Sequence, residues 1–506
     1  MANEKRIQSA LVSVYHKQGL APIAEQFKAL GIACYSTGGT ATYLRSLGVE
    51  VHEVADLTSY PSILGGRVKT LHPKVHGGIL ARRNQAADLA ELEKYDIPPI
   101  DLVIVDLYPF EETVASGASE TDIIEKIDIG GIALIRAAAK NFQHVTIVPS
   151  SHYYGQLAAL LESQQGVLSL EQRRELAAAA FEVSSHYDTH IFRYLAPGSD
   201  SLKISASRPT RLRYGENPHQ QGFFYGRLDE AFEQLNGKAL SYNNMVDIDG
   251  ALQLIDEFEL PAFAVIKHTN PCGCAVADKL DEAWHKALAG DPVSAFGGIL
   301  VANRSIDEQL AADIHKLFFE VLLAPDFSAA ALQILKQKKR RILLKRKPFE
   351  LPARSLKSML NGYLVQDRDL HSLKVEELQY KSSRKPTQAE LADVVFGEKV
   401  CKHLKSNAIA IVKNGQLIGS GVGQTSRIDA LKQAIDKAQR LGFDLRGAVL
   451  ASDAFFPFAD SVACAHEHGI EVVVQPGGSV RDEETINFCE NHDMCLIFTG
   501  VRHFRH

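Results

Sequence analysis

Lys267 and His268 stand side by side in Lys267-His-Thr-Asn-Pro-Cys-Gly273, directly after the apolar run Phe263–Ile266. Two titratable groups at the end of a buried strand suit general acid–base chemistry; an ordinary polar loop is the plainer alternative. Ser36-Thr-Gly-Gly-Thr40 falls between a strand pattern and a helix pattern. Glycines there let backbone N–H groups approach an anion at a helix amino terminus, or simply permit a tight turn. The segment matches neither a Walker loop nor the dinucleotide fingerprint. Gly65-Gly-Arg-Val-Lys-Thr-Leu-His-Pro73 gathers Arg67, Lys69, Thr70 and His72 beside a Gly-Gly turn, a loop able to clamp a phosphate or polarise a carbonyl.

Asp128-Ile-Gly-Gly131 precedes a helix pattern carrying Arg136 and Lys140 on one face, so a carboxylate and an ammonium offer a proton-transfer pair. Asp106-Leu-Tyr-Pro-Phe110 follows a buried strand, and strand carboxyl ends are where open α/β sheets bind ligands, which points Tyr108 toward a site. Arg213-Tyr-Gly-Glu-Asn-Pro-His-Gln220 is dense in hydrogen-bonding groups. Asp453-Ala-Phe-Phe-Pro-Phe-Ala-Asp460 sets three phenylalanines between two carboxylates, which suits a flat heterocycle, although phenylalanine serves a core equally well. Cys272 and Cys274 are not spaced for a tetrahedral metal site, and no His-x-Glu partner lies upstream. Zinc deaminase chemistry, and a catalytic metal generally, is therefore not expected.

These residues need a scaffold. The first two hundred positions alternate strand patterns (Ala10–Val14, Ile32–Tyr35, Val49–Val54, Leu102–Val105, Val145–Val148) with helix patterns (Leu20–Leu30, Thr40–Leu47, Ile132–Asn141). That rhythm predicts an α/β domain with a parallel sheet covered on both faces. A long helix pattern, Leu170–Leu195, closes the region, and Ala196-Pro-Gly-Ser-Asp-Ser marks a boundary near residue 200. Beyond it, strands at Phe263–Ile266, Gly298–Ala302 and Val321–Leu323 form one α/β unit. A hairpin over Ala408–Gly421 and strands at Ala448–Ser452, Glu471–Val474 and Met494–Phe498 form another of similar build. A pseudo-duplicated half is expected, with units of about 201–355 and 356–506. Lys336 to Lys347 holds eight Lys or Arg in twelve residues and reads as a solvated connector between them.

Composition sets the outer limits. Of 506 residues 45% are hydrophobic and 23% charged, which excludes a disordered or fibrous chain and gives material for about three folding units. Fifty-five basic and 61 acidic residues leave a formal net charge of -6. No global attraction for nucleic acid or an anionic membrane follows from that balance. Seven scattered cysteines point to reduced thiols. Met1 to Ala10 lacks an apolar signal region, and no run approaches the roughly 18 apolar residues of a membrane span. A cytoplasmic location is expected.

Taken together, STGGT, GGRVKTLHP, DLYPF, DIGG, RYGENPHQ, KHTNPCG, SAFGG, SNAIAIVKNG, GQTSR and SDAFFPF occur in one order from Leu11 to His506. In this the chain resembles the bifunctional purine biosynthesis family that combines 5-aminoimidazole-4-carboxamide ribonucleotide (AICAR) formyltransferase with inosine monophosphate (IMP) cyclohydrolase. The resemblance implies a methylglyoxal-synthase-like domain over 1–200, the cyclohydrolase, and a formyltransferase region over 201–506 made of two cytidine-deaminase-like units. The co-substrate it implies is 10-formyltetrahydrofolate. AICAR, its formylated product FAICAR, IMP and reduced folate would be the small-molecule partners, in a homodimer whose transferase site is shared between chains.

Residue by residue, the resemblance makes His268 the base for the AICAR amine, Lys267 the group stabilising the oxyanion or protonating the leaving folate nitrogen, and Asn407 an orienting group. Arg213, Tyr214, Phe296, Gly297 and Arg502 resemble nucleotide contacts; Arg427, Ile428, Pro457, Phe458 and Asp460 resemble folate contacts. For cyclisation, Ser13, Lys17, Thr37, Gly38, Gly39, Thr40, Arg67, Lys69 and Thr70 match phosphate and ribose positions, and Tyr108, Asp128 and Lys140 lie near the reacting carboxamide. Tyr15, His16, Asp106 and Arg505 depart from commoner family residues. A competing reading keeps only the formyltransferase and makes the amino-terminal domain a nucleotide sensor; the acid–base set Lys69, Asp128 and Lys140 speaks against it.

Overall fold

A computed structural model describes residues 4–207 and 209–506. The chain divides into two compact units, one ending at Ser207 and one taking the rest. In the first, β1 (Ser9–Val14), β2 (Ala33–Ser36), β3 (Val51–Glu53), β4 (Leu102–Asp106) and β5 (Thr146–Val148) form a sheet ordered β3-β2-β1-β4-β5. Every neighbouring pair is parallel. Residues Leu102–Asp106 are buried throughout, as a parallel sheet covered on both faces requires.

Register decides where the loops emerge. Val12 lies opposite both Ser36 and Ile104, and Val14 opposite Asp106. The carboxyl ends of β1, β2 and β4 therefore share one edge of the sheet, and chain order reverses beside β1, the position where ligands bind in such sheets. Helix α1 (Gly38–Ser46) leaves β2 and the short helix α2 (Phe110–Ala115) follows β4. Asp128 opens α3 (Ile129–Lys140), its Oδ1 accepting from Gly131 N at 2.6 Å, which satisfies one of the orphan donors of the first turn. The long helix α4 (Leu170–Leu195) starts with a capping box between Ser169 and Gln172.

The second unit carries a twelve-stranded sheet. Its first half contains β6 (Phe232–Asn236), β7 (Ala262–Lys267), β8 (Asn270–Val276), β9 (Ile299–Ala302), β10 (Val321–Ala324) and β11 (Ile342–Arg346). Its second half contains β12 (Gln379–Tyr380), β13 (Ile409–Lys413), β14 (Gln416–Gly421), β15 (Val449–Ser452), β16 (Val472–Gln475) and β17 (Cys495–Phe498). The order β6-β11-β10-β9-β7-β8-β14-β13-β15-β16-β17-β12 reads the same topology outward from the β8/β14 junction. In each half a short strand is followed by a helix, α5 (Tyr242–Ile255) or α6 (Gln388–Lys402), then by an antiparallel hairpin and three parallel strands. The second unit thus consists of two halves of one sheet with matching strand order. Glycine marks the shared seam: a Cβ on Gly273 would stand 2.0 Å from Ala287 O, and one on Gly421 1.8 Å from Ala430 O, so in both halves only glycine lets the hairpin pack on its following helix.

Two expectations are corrected. The basic run Lys336–Lys347 is not a connector throughout, because Ile342, Leu343 and Leu344 are buried and pair with β10 and β6 inside the sheet. The residues after His268 are not a loop either; the chain turns at His268 and Thr269, both with positive φ, and returns at once as β8. Among the described residues no helix is long and apolar enough to cross a membrane.

Candidate active sites

In the first unit the loops leaving β1, β2 and β4 enclose a cavity of about 930 Å³. Ser13, Lys17, Thr37, Gly39, Thr40, Arg67, Lys69, Thr70, Tyr108 and Asp128 all line it. Gly38 begins α1 with a φ of 55°, and a Cβ there would approach Lys69 Nζ to 4.0 Å. Thr40 Oγ1 donates to Val14 O at 3.0 Å, tying the α1 turn to the end of β1. Gly66 fixes Lys69: its φ is 94°, and a Cβ would lie 2.8 Å from Lys69 Cε, so the lysine crosses bare backbone on its way inward. Arg67 pairs with Glu125 at the exposed rim. Cations and glycine-freed N–H groups on one wall suit a phosphate.

The same lining also carries groups able to exchange protons. Burial raises the Asp128 carboxyl above its ordinary range, opposed by N–H donation from Gly131 and Tyr108 and reinforced by Asp106. Burial, with the Asp128 and Tyr15 charges behind it, likewise raises the Tyr108 phenol. A carboxylate of raised basicity beside a phenol is a competent acid–base pair. The loop between Lys126 and Asp128 is held from beneath by Tyr187 of α4, whose hydroxyl donates to Lys126 O at 2.5 Å and accepts from Asp128 N at 2.9 Å.

Lys140 does not join this set within one chain. It is exposed on the last turn of α3, and twelve helical residues put it about 18 Å along the axis from Asp128, so the proton-transfer pair expected from Asp128 and Lys140 is not formed. Conversely, residues not singled out by their types line the cavity. Lys126 Nζ sits 5.2 Å from the Tyr15 ring centroid and 5.8 Å from that of Tyr108, and the two rings meet edge-on at 5.4 Å. No spacing signal marks Lys126, because its neighbours are brought from other loops. Three of the departures from commoner family residues are mutual contacts: Asp106 Oδ2 accepts from His16 N at 2.8 Å and faces His16 Nδ1 at 3.0 Å, while Tyr15 N donates to Asp106 O.

In the second unit Lys267 ends β7 and its Nζ donates to Phe296 O at 2.5 Å. Gly297 N donates to Phe318 O at 2.8 Å, and the φ of 72° at Gly297 bends the chain so that a Cβ would stand 3.6 Å from Lys267 Nζ. Phe296 is 62% exposed and its ring lies 4.9 Å from that of Phe318, leaving an open aromatic face beside the lysine. The His268 turn is tied down on two sides: Thr269 N donates to Asp247 Oδ1 on α5 at 2.7 Å, and Asn270 bridges His268 O and Lys405 N. Lys405 leads into Asn407, so the turn of one half meets the loop of the other. Tyr214 O accepts from Tyr242 N at the start of α5, and the Arg213 guanidinium stacks 4.7 Å over the Tyr214 ring. Exposed Arg502 lies over Phe504 on the carboxy-terminal segment, whose Arg505 exchanges backbone contacts with Ser406.

Arg427 departs from the expected folate contact through its side chain. The guanidinium is buried and spent within the protein, with Nη1 on Asp453, Nε on Phe455 O at 3.1 Å and Nη2 on Asn407 Oδ1 at 2.8 Å. Burying a guanidinium demands such pairing. Ile428 is half-buried beside it, and Pro457, Phe458 and Asp460 are exposed on the turn into the helix Asp460–Glu467. Of the three phenylalanines there, Phe456 is core and Phe455 and Phe458 face solvent.

Comparison with known proteins bears on this pair of sites. A family model described as the AICARFT/IMPCHase bienzyme matches residues 138–437, and one for an MGS-like domain matches 19–133. The chain belongs to the AICARFT/IMPCHase bienzyme family. It is 56% identical to the bifunctional purine biosynthesis protein PurH of Bacteroides thetaiotaomicron, over the whole of both chains. It is 46% identical to PurH of Aquifex aeolicus, covering 98% of this chain and all of that one, and 44% identical to PurH of Persephonella marina, covering 99% and 100%. As a member of the bienzyme family it carries AICAR formyltransferase and IMP cyclohydrolase activities in purine biosynthesis, with a folate-type formyl donor. The reading with a single activity and a sensing domain finds no support in that membership.

Proposed function

We propose that the cavity of the first unit closes the ring and that the Lys267-His268 turn of the second transfers the formyl group. The donor is 10-formyltetrahydrofolate. The exocyclic amine of AICAR is a poor nucleophile because its lone pair is delocalised toward the carboxamide, so transfer needs a base and an oxyanion stabiliser. His268 takes the amine proton as nitrogen attacks the formyl carbon; Lys267 leaves Phe296 O to meet the developing oxyanion and then to protonate the departing folate nitrogen. Asn407 orients the reacting groups. FAICAR then closes when its carboxamide nitrogen attacks the formyl carbon. Asp128 accepts the nitrogen's proton, Lys69 stabilises the oxyanion, and Tyr108 assists the loss of water.

The observation that carries this reading is the convergence of ten matching positions on one cavity, with glycines clearing the path of Lys69. Each half of the second unit has hairpin strands in the order second-first-third-fourth-fifth, which supports the cytidine-deaminase-like assignment. A homodimer is supported by the hairpin of Arg354–Met359 with Gly362–Asp367. It exposes Leu356, Met359, Leu360, Tyr363, Leu364 and Val365, and a lone two-stranded hairpin of this kind needs a cover to be stable. The location that fits such an enzyme is cytoplasm. Incubating the protein with AICAR and 10-formyltetrahydrofolate should yield IMP; formation of neither FAICAR nor IMP would refute the assignment.

A further inference from the structure

Outside both sites, Glu111, His186 and His190 converge in the first unit. Glu111 Oε1 lies 3.2 Å from His186 Nε2 and Glu111 Oε2 lies 3.2 Å from His190 Nδ1. One donor atom from each falls within 4.8 Å of the others, and among the described residues this is the one such trio. The two histidines are four apart on α4, so they share a face one turn apart, the spacing that lets two imidazoles chelate one ion. We propose that Glu111, His186 and His190 form a non-catalytic site for one divalent transition-metal ion, with Zn²⁺ the ion its donors suit.

A second observation supports ligation over a plain ion pair. His186 Nδ1 is 2.8 Å from Ser205 Oγ, so the hydroxyl can accept the Nδ1 proton when Nε2, which faces Glu111, binds an ion. Metal-binding histidines are oriented by this kind of outer hydrogen bond. Two imidazole nitrogens and a carboxylate oxygen suit late first-row ions, and three protein donors leave one tetrahedral position for water. The consequence is mechanical. Glu111 lies in the first turn of α2, three residues after Tyr108, and Phe110 packs on the Tyr187 and Tyr194 rings of α4. An ion at this place would therefore pin the Tyr108 segment to the helix whose Tyr187 already holds Lys126 and Asp128.

The test is calorimetric titration of the chelator-treated full-length protein with Zn²⁺. Wild type should bind one equivalent that His190→Gln and Glu111→Gln lose. Ser205→Ala should keep the stoichiometry and weaken the affinity by roughly tenfold or more. Tetrahedral Co²⁺ absorption should appear in wild type and vanish in His190→Gln. The same Zn²⁺ stoichiometry and affinity in wild type and His190→Gln, or no binding by wild type, would overturn the proposal. Should His190→Gln fail to fold, Ser205→Ala decides alone, because that hydroxyl is outside the ligand set and an unchanged affinity there contradicts the site.

Discussion

Arg427 Nη2 donates to Asn407 Oδ1 at 2.8 Å, and the same guanidinium pairs through Nη1 with Asp453, whose side chain is completely buried. Asn407 Nδ2 in turn donates to Gln424 O at 2.9 Å, so the amide is fixed at both ends and has one orientation to offer substrate. In the proposed mechanism Arg427 is thus a positioning residue for the transferase site.

Arg427→Ala should therefore reduce formyl-transfer turnover by about 10²-fold, the cost of misplacing a reacting group by about an ångström, while cyclisation of supplied FAICAR continues. It should also destabilise the second unit by about 3–5 kcal/mol by leaving Asp453 unpaired, read from its denaturant transition. Arg427→Lys should rescue little, because a point charge cannot bridge Asp453, Phe455 O and Asn407 together. A variant that loses both activities equally would show a global defect instead.

Tyr187→Phe removes the hydroxyl that accepts from Asp128 N and donates to Lys126 O. Leaving those groups without their partner should cost about 1–3 kcal/mol and loosen the loop carrying Asp128. Cyclisation turnover should fall more than the apparent affinity for FAICAR. Because burial pushes the Tyr187 phenol up to about 12, the wild-type bond should persist across the whole working pH range. A cyclase rate unchanged in Tyr187→Phe would mean that the loop is held by other contacts.

His503 lies between Asp369, 2.5 Å from Nδ1, and Glu398, 2.7 Å from Nε2. Burial disfavours its charged form, yet the two carboxylates prevail and raise its pKa from 6.5 to about 9. A pKa raised on folding stabilises the folded state fully below pH 6.5, progressively less from 6.5 to about 9, and not at all above that range. The stability at stake is on the order of 3 kcal/mol. Urea midpoints of the second unit should fall through that window in wild type and stay flatter in His503→Gln. Parallel pH profiles would assign the alkaline loss to another group.

The strand-and-glycine frame was legible from residue types because β-branched runs, Gly-Gly turns and the Asn414-Gly415 hairpin carry local signals that the tertiary fold leaves intact. Ile342–Leu344 was hidden by flanking charge: eight basic residues mask three buried positions, and Arg341 is itself buried against Phe319. Asn270–Val276 was hidden by Pro271 and Gly273, which read as turn signals, although Gly273 serves the close packing of β8 on the following helix. Lys140 failed for a different reason, since being on one helical face with Arg136 says nothing about reach along the axis to Asp128. Lys126, Tyr187 and Asp247 act through contacts between distant segments, for which a single sequence holds no periodic signature.

The division of labour between the two units is tested most directly by following FAICAR and IMP in two single variants of the full-length protein supplied with AICAR and 10-formyltetrahydrofolate. Lys69→Ala should convert AICAR to FAICAR and stop there, with cyclisation slowed by about 10²–10³. His268→Ala should leave AICAR largely unconsumed, with transfer slowed by about 10²–10⁴, yet close FAICAR added to it at the wild-type rate. Mixing the two variants should restore IMP formation. If Lys69→Ala accumulates no FAICAR, or His268→Ala cannot close added FAICAR, the two chemistries do not reside in separate sites and the account is contradicted.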